Sequence, residues 1–134
     1  MKRAHHHAKY DLKYHLVLVT KYRKKCITKN MLNRLEETIG VICYKWDVEV
    51  LEFSGEEDHI HILISAHPSM ELSKFINNLK TVSSRLIRKE FKEHLSKFYW
   101  KPYFWTRAYF IATTGGAPLE VIKQYIQSQE RPTK

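Results

Sequence analysis

The spacing of apolar residues changes along this chain in an order that few folds accommodate. Two stretches have apolar residues at three- and four-residue steps, the period of an amphipathic helix, and they begin at Thr28 and at Pro68. The segments around them are rich in β-branched and aromatic residues, or alternate between polar and apolar residues, as strands do. The predicted strands span 12–22, 47–53, 59–65 and 103–114.

The predicted elements follow one another as strand, helix, strand, strand, helix, strand, and a short helix at about 117–130 ends the series. This order is typical of an α+β, ferredoxin-like (RRM-like) domain, in which an antiparallel sheet carries two helices on one face. The other face is then open, and RNA-recognition modules bind nucleic acid there. Residues 1–134 are expected to form one domain with a core at about 10–114, because 43% apolar residues suffice for one core.

The charge balance indicates a polyanionic partner. Lys and Arg number 23 against 14 Asp and Glu, a formal net charge of +9. Nucleic acid is the usual partner of such a chain, although anionic lipid or solubility alone would explain the same balance. No apolar run is long enough to span a membrane and the N-terminus shows no signal peptide, so we expect a soluble cytoplasmic protein.

The predicted DNA contacts are basic side chains, together with one aromatic ring on which an unpaired base can stack. They are Tyr22, Arg23, Lys24, Lys80, Arg85 and Arg88. For each of them, a solvated charge or a core aromatic residue is the alternative interpretation.

Two histidines flank Ile60 in the third predicted strand. Because side chains alternate across a strand, His59 and His61 face the same side and could share one metal ion. The preceding Asp58 could orient one of the rings by a hydrogen bond to the ring nitrogen that does not bind the metal. The alternative is that two of the eight histidines merely decorate a sheet.

The last predicted helix carries a phenol and an amide on one face, since Tyr125 and Gln129 stand four residues apart. Tyrosine is a poor nucleophile at its usual pKa of about 10, so attack on a phosphodiester needs a nearby cation or base. Mixed imidazole and amide-oxygen ligands suit Mg²⁺ or Mn²⁺ at least as well as zinc. The alternative is that Tyr125 only packs beside Ile122 and Ile126.

Four segments, in this order and spacing, resemble the single-tyrosine transposases of the smallest bacterial and archaeal insertion sequences. These enzymes belong to the HUH (His-hydrophobe-His) endonucleases. The segments are YHLVLVTKYRKK at 14–25, DHIHILIS at 58–65, LKTVSSRLI at 79–87 and FW…Y…TTGG…VIKQYIQSQ within 104–129. A bare His-x-His would be a weak match, but the combination with the TTGG break and the tyrosine helix is specific.

The resemblance implies that His59, His61 and Gln129 bind the metal, with Tyr125 as the nucleophile. Tyr125 would displace a 3′ hydroxyl and keep the 5′ phosphate, and a free 3′ hydroxyl would then rejoin the strands. The implied substrate is single-stranded DNA with hairpins at the ends of the element. The implied assembly is a homodimer in which a mobile or swapped helix at about 117–130 completes the partner's site, with Gly115 and Gly116 as the hinge. The sequence permits a helix packed in its own chain equally well.

Two departures from the family pattern concern substrate fit: Glu57 stands where Pro is common, and Thr81 where Gly is common. Two other functions stay open at this point. One is a non-catalytic binder of single-stranded DNA or RNA on the same fold, which would tolerate loss of Tyr125. The other is a metal-dependent nuclease in which His59, His61 and Gln129 activate water and no DNA becomes attached to the protein.

Overall fold

The secondary structure follows the predicted order in a computed structural model that describes residues 12–113 and 119–129. The strands are β1 (Lys13–Val19), β2 (Glu49–Gly55), β3 (His59–Ser65) and β4 (Phe110–Thr113). The helices are α1 (Lys29–Lys45), α2 (Leu72–Glu90), α3 (Lys92–Leu95) and α4 (Leu119–Ser128). No helix among the described residues is long and apolar enough to cross a membrane.

The four strands form one antiparallel sheet in the order β2-β3-β1-β4. β1 lies in the middle, where Val17 is opposite His61 and Val19 is opposite His59. On its other side, Val17 is opposite Phe110 of β4. This strand order with two intervening helices confirms the predicted α+β, ferredoxin-like fold.

One face of the sheet packs against α1 and α2. Leu16, Leu18 and the isoleucines of β3 point to this face and are fully buried. Each such side chain contributes roughly 1.5–3 kcal/mol by leaving water. α1 begins where predicted, because the Thr28 hydroxyl accepts a hydrogen bond from the Met31 backbone N–H at 3.2 Å. The two helices therefore hold the sheet from one side only.

The opposite face is partly covered by α4, so it is less open than expected. Ile122 is buried there against Val17 and Val19 of β1. Tyr125, Ile126 and Phe110 pack around the same cluster. Since Val17 and Val19 are the residues opposite His61 and His59, α4 lies on the face that carries both histidines.

Three predicted boundaries differ from the structure by three residues or more. β1 ends at Val19, because Tyr22 and Arg23 adopt left-handed φ values of 59° and 56° that end the strand in a turn. α2 begins at Leu72, because the His67 ring accepts a hydrogen bond from the Ser69 backbone N–H at 3.1 Å and a turn forms there.

β4 begins only at Phe110, although the prediction started it at 103. The aromatic residues before β4 lie in a loop and pack into the core. Phe104 is buried, and the Trp105 Nε1–H donates to the Ser83 hydroxyl at 3.0 Å. Gly115 and Gly116, the predicted hinge, lie outside the described residues.

Candidate active site

His59 and His61 point to the same face of β3, as the alternation predicted. Both rings are half-buried, while Ile60, Ile62 and Ile64 between and beyond them are fully buried on the opposite face. The pair lies on the strand next to β1, on the sheet face against which α4 packs. Two imidazoles on one sheet face can bind a common ligand.

Asp58 orients the His59 ring. Its Oδ1 lies 2.9 Å from His59 Nδ1, in the arrangement that fixes the tautomer of a ligating histidine. With Nδ1–H donating to the carboxylate, Nε2 is the ring nitrogen that remains to bind a ligand. Asp58 itself is buried, with 9% of its surface exposed, and its other carboxylate oxygen lies 3.4 Å from Arg23 Nε.

His15 is a neighbour of the site that the sequence analysis missed. Its Nδ1 lies 2.8 Å from His61 Nε2, and the two rings stack with centroids 5.0 Å apart and planes 7° from parallel. Burial lowers the pKa of His61, and the nearby His15 lowers it further. Both effects favour the neutral imidazole, which is the form that binds metals.

The Tyr125 side chain packs on the same sheet face, with its ring 5.2 Å from that of Phe110. Its hydroxyl is buried and has no hydrogen-bond partner among the described residues. Burial raises the pKa of Tyr125 to about 12, so the phenol is fully protonated near neutral pH. A buried hydroxyl without a partner is costly, so the Tyr125 hydroxyl is a candidate to meet a polar group of a bound molecule.

Gln129 lies just beyond the end of α4, and the hydrogen bonds of its side chain are local. Its amide N–H donates to the Tyr125 carbonyl at 3.2 Å, which leaves the amide oxygen as the group that could bind a cation. The described residues contain no group of three His, Cys, Asp or Glu side chains that could hold a metal ion. A metal bound by His59 and His61 therefore needs a ligand of another kind within this part of the chain, and an amide oxygen qualifies.

Arg23, predicted to contact DNA, points inward and joins α4 to the histidine site. Its guanidinium donates to the carbonyl oxygens of Gln127 at 2.8 Å and Ile126 at 3.3 Å, at the C-terminal end of α4. On its other side, Nε lies 3.4 Å from Asp58 Oδ2. A cation at a helix C-terminus is favourable. The left-handed turn at Tyr22 and Arg23, which costs about 1 kcal/mol or more per residue, aims the side chain there.

The other predicted DNA contacts lie along one side of the domain. Tyr22 and Lys24 line one groove of about 490 Å³, and Arg85 and Arg88 line a second of about 450 Å³. The ammonium group of Lys80 is partly withdrawn from solvent, because it donates to the Thr106 and Arg107 carbonyl oxygens. Burial, with a smaller contribution from Arg107, lowers the pKa of Lys80. Lys80 and Arg88 also line a third groove of about 270 Å³, so that all the predicted residues except Arg23 lie along three adjoining grooves.

Comparisons with known proteins agree over almost the whole chain. The model of the family described as "Transposase IS200 like" matches residues 8–129. The transposase for insertion sequence element IS200 of Salmonella typhimurium strain LT2 is 31% identical over 123 residues, which cover 92% of this chain and 80% of the relative. The ISDra2 transposase TnpA of Deinococcus radiodurans is 29% identical over 120 residues, 90% of this chain and 85% of the relative.

A solved structure shows the same fold. The crystal structure of a Deinococcus radiodurans R1 protein assigned as a transposase superposes with a TM-score of 0.86 at 27% identity, covering 98% of this chain and 100% of that one. The match thus extends over the full length of the solved chain, including the region of the last helix.

Proposed function

This chain belongs to the IS200-like transposases, and from that premise we propose that it cleaves and rejoins single-stranded DNA at insertion-sequence ends through Tyr125. The observation that carries the proposal is the position of α4. It packs Tyr125 against Val17 and Val19, the residues opposite His61 and His59 in the sheet. A phenol and two imidazoles, the groups that the resemblance requires, therefore share one face of the domain.

In the proposed reaction, the Tyr125 oxygen forms a bond to phosphorus and the bond from phosphorus to the 3′ oxygen breaks. The phenol loses its proton, and the departing 3′ oxygen gains one. The 5′ phosphate then stays on the protein as an ester, and attack by another 3′ hydroxyl reverses the step with a new DNA end. One phosphoester bond is exchanged for another at each step, so no external energy source is needed.

Because its hydroxyl is buried, Tyr125 needs a cation or a base before it can act as a nucleophile. With a pKa of about 12, Tyr125 is a weak nucleophile near neutral pH until a cation or base acts on it or on the phosphate. A divalent ion, Mg²⁺ or Mn²⁺, bound by His59, His61 and Gln129 would polarise the phosphate and favour the phenolate. Asp58 holds the His59 ring in one orientation, and the low pKa of His61 keeps that ring neutral for binding.

We propose that the protein acts as a homodimer on DNA that bears hairpins. In the described residues, α4 packs on the sheet of its own chain through Ile122. Mixed dimers of His61→Ala and Tyr125→Phe chains distinguish this arrangement from an exchanged helix. If the mixture cleaves DNA, the tyrosine helix of one subunit acts on the sheet of the other. If the mixture does not cleave DNA, each α4 acts on the sheet of its own chain.

Joining of two DNA strands is the activity that separates a transposase from a nuclease or a passive binder. Two hairpin-bearing single strands are mixed with the protein and Mg²⁺, and the products are sequenced for molecules that contain segments of both. Joined products are expected with the wild type and with Tyr44→Phe, whose exposed ring lies on α1. Their loss with Tyr125→Phe supports the proposal, and joining that survives this change rejects it.

A further inference from the structure

Trp100 is a fully exposed indole on the segment between α3 and β4. Its relative exposure is 101%, whereas the next most exposed large apolar side chain in the described ranges, Val41, is 57% exposed. Tryptophan is usually buried to a large degree, since its ring carries much apolar surface. Such a ring becomes a candidate contact for a ligand when the surface around it also suits that ligand.

The backbone around Trp100 is fixed, so the exposure of the ring is a feature of the fold. The Tyr99 hydroxyl, next to it, donates to the Lys21 carbonyl at 2.7 Å. The Tyr103 backbone N–H donates to the Lys101 carbonyl at 2.7 Å, and the Tyr99 and Tyr103 rings meet edge to face at 6.1 Å. Pro102 restricts the backbone between them further.

Basic grooves flank the ring on both sides, and Trp100 and Lys101 line both of them. The first, of about 450 Å³, is bordered by Arg85, Arg88, Lys89 and Lys92. The second, of about 490 Å³, is bordered by Lys24 and Lys97 together with Tyr22 and Phe98. Among the described residues that line the two grooves there is no carboxylate.

An exposed aromatic ring between two cationic grooves has the chemistry of a site for single-stranded nucleic acid. The ring supplies a face on which an unpaired base can stack, and the cations neutralise the phosphates on either side. A second copy of the chain fits poorly as the occupant, because it would bring the same cations to the contact and the whole chain carries +9.

We propose that Trp100 stacks on an unpaired base of the DNA substrate while the adjacent phosphates lie in the two grooves. The inference rests on the proposed function and adds a binding site outside the catalytic face. The second groove also leads toward that face. Tyr22 lines it, and the next residue, Arg23, contacts Asp58 beside His59. A strand held on Trp100 could therefore continue to the histidine site.

The test compares two 20-nucleotide strands, oligo-dT and an abasic strand with the same number of phosphates, by fluorescence anisotropy in EDTA. Trp100→Ala is expected to weaken binding of oligo-dT by roughly 5- to 150-fold, the range typical of one lost stacking contact. Binding of the abasic strand should stay unchanged, since it offers no base. Trp100→Phe should retain most of the affinity, and Tyr44→Ala, an exposed aromatic residue outside both grooves, should bind as the wild type does.

Three results would overturn the inference. They are equal binding of oligo-dT by Trp100→Ala and the wild type, an equal loss on both strands, and an altered oligomeric state in sedimentation with DNA affinity intact. These outcomes are separate from failure of the proposed function. If the proposed function fails and the Trp100 site is real, the wild type binds oligo-dT with the expected dependence on Trp100 but yields no joined strands.

Discussion

Arg23 and Asp58 form an ion pair, with 3.4 Å between Nε and Oδ2, that links the end of α4 to the histidine site. Both side chains are largely withdrawn from water, at 15% and 13% exposure. The same guanidinium holds the Gln127 carbonyl at 2.8 Å, and the same carboxylate holds His59 at 2.9 Å. The helix that carries Tyr125 and the proposed metal ligand His59 are thereby connected through two side chains.

Replacing Arg23 by Ala should loosen α4 and leave Asp58 without this cation. A lost hydrogen bond to a charged group costs about 1.5–3 kcal/mol. We therefore expect the free energy of unfolding, measured by urea denaturation, to fall by about that amount. DNA cleavage should fall as well. The control is Arg34→Ala, which removes an exposed ion pair with Glu90 far from the site and should cost less. Equal losses for the two variants would contradict the link.

Replacing Asp58 by Asn should weaken metal binding, and it should also lower the free energy of unfolding because it removes the carboxylate that pairs with Arg23. The carboxylate fixes the His59 ring, and loss of such a partner typically lowers metal affinity by about 10- to 100-fold. Titration with Mn²⁺ followed by electron paramagnetic resonance measures the change. Glu57→Gln alters the adjacent exposed carboxylate and should bind Mn²⁺ as the wild type does. An Asp58→Asn protein with unchanged affinity would exclude this role.

Replacing Ile122 by Ala should undock α4 while leaving the sheet and the other helices folded. Ile122 is buried against Val17 and Val19, and such truncations cost about 2 kcal/mol or more. Amide hydrogen exchange should accelerate in α4 alone, and cleavage should fall. The neighbouring Val121 is 40% exposed, so Val121→Ala provides a matched control with little expected effect. Unchanged protection of α4 in Ile122→Ala would show that this contact does not hold the helix.

The two cysteines should react slowly with thiol reagents until the protein unfolds. Burial raises the pKa of Cys26 to about 11 and that of Cys43 to about 12, above the ordinary value of 9.0. The folded state thus favours the neutral thiols. Their contribution to stability is complete below about pH 9 and is lost as the pH rises toward the folded pKa values. Reaction with a disulfide reagent at pH 8, with and without urea, measures the protection, and equal rates would contradict the burial.

Features that depend on a short stretch of chain could be predicted from the sequence. The alternation in β3 placed His59 and His61 on one face, because the period of two is a local property of a strand. The Thr28 cap was also local, since donor and acceptor are three residues apart. The order of strands and helices was sufficient for the fold class.

Features that depend on distant pairing could not be predicted in this way. The contact of His15 with His61 joins residues 46 positions apart and follows from the register of β1 with β3. The inward course of Arg23 depends on the left-handed φ values of Tyr22 and Arg23, which residues other than glycine rarely adopt. The exposure of Trp100 could not be predicted either, because only the surrounding fold shows that its ring stays in water.

Formation of a covalent link between Tyr125 and DNA is the most direct test of the central claim. Single-stranded DNA with flanking hairpins and a labelled 3′ end is incubated with the protein in Mg²⁺ or EDTA and run on a denaturing gel. We predict a labelled protein band in Mg²⁺ that is absent in EDTA and in Tyr125→Phe, and present in Tyr44→Phe. Cleavage without a labelled band, or a band that persists in Tyr125→Phe, would contradict the account.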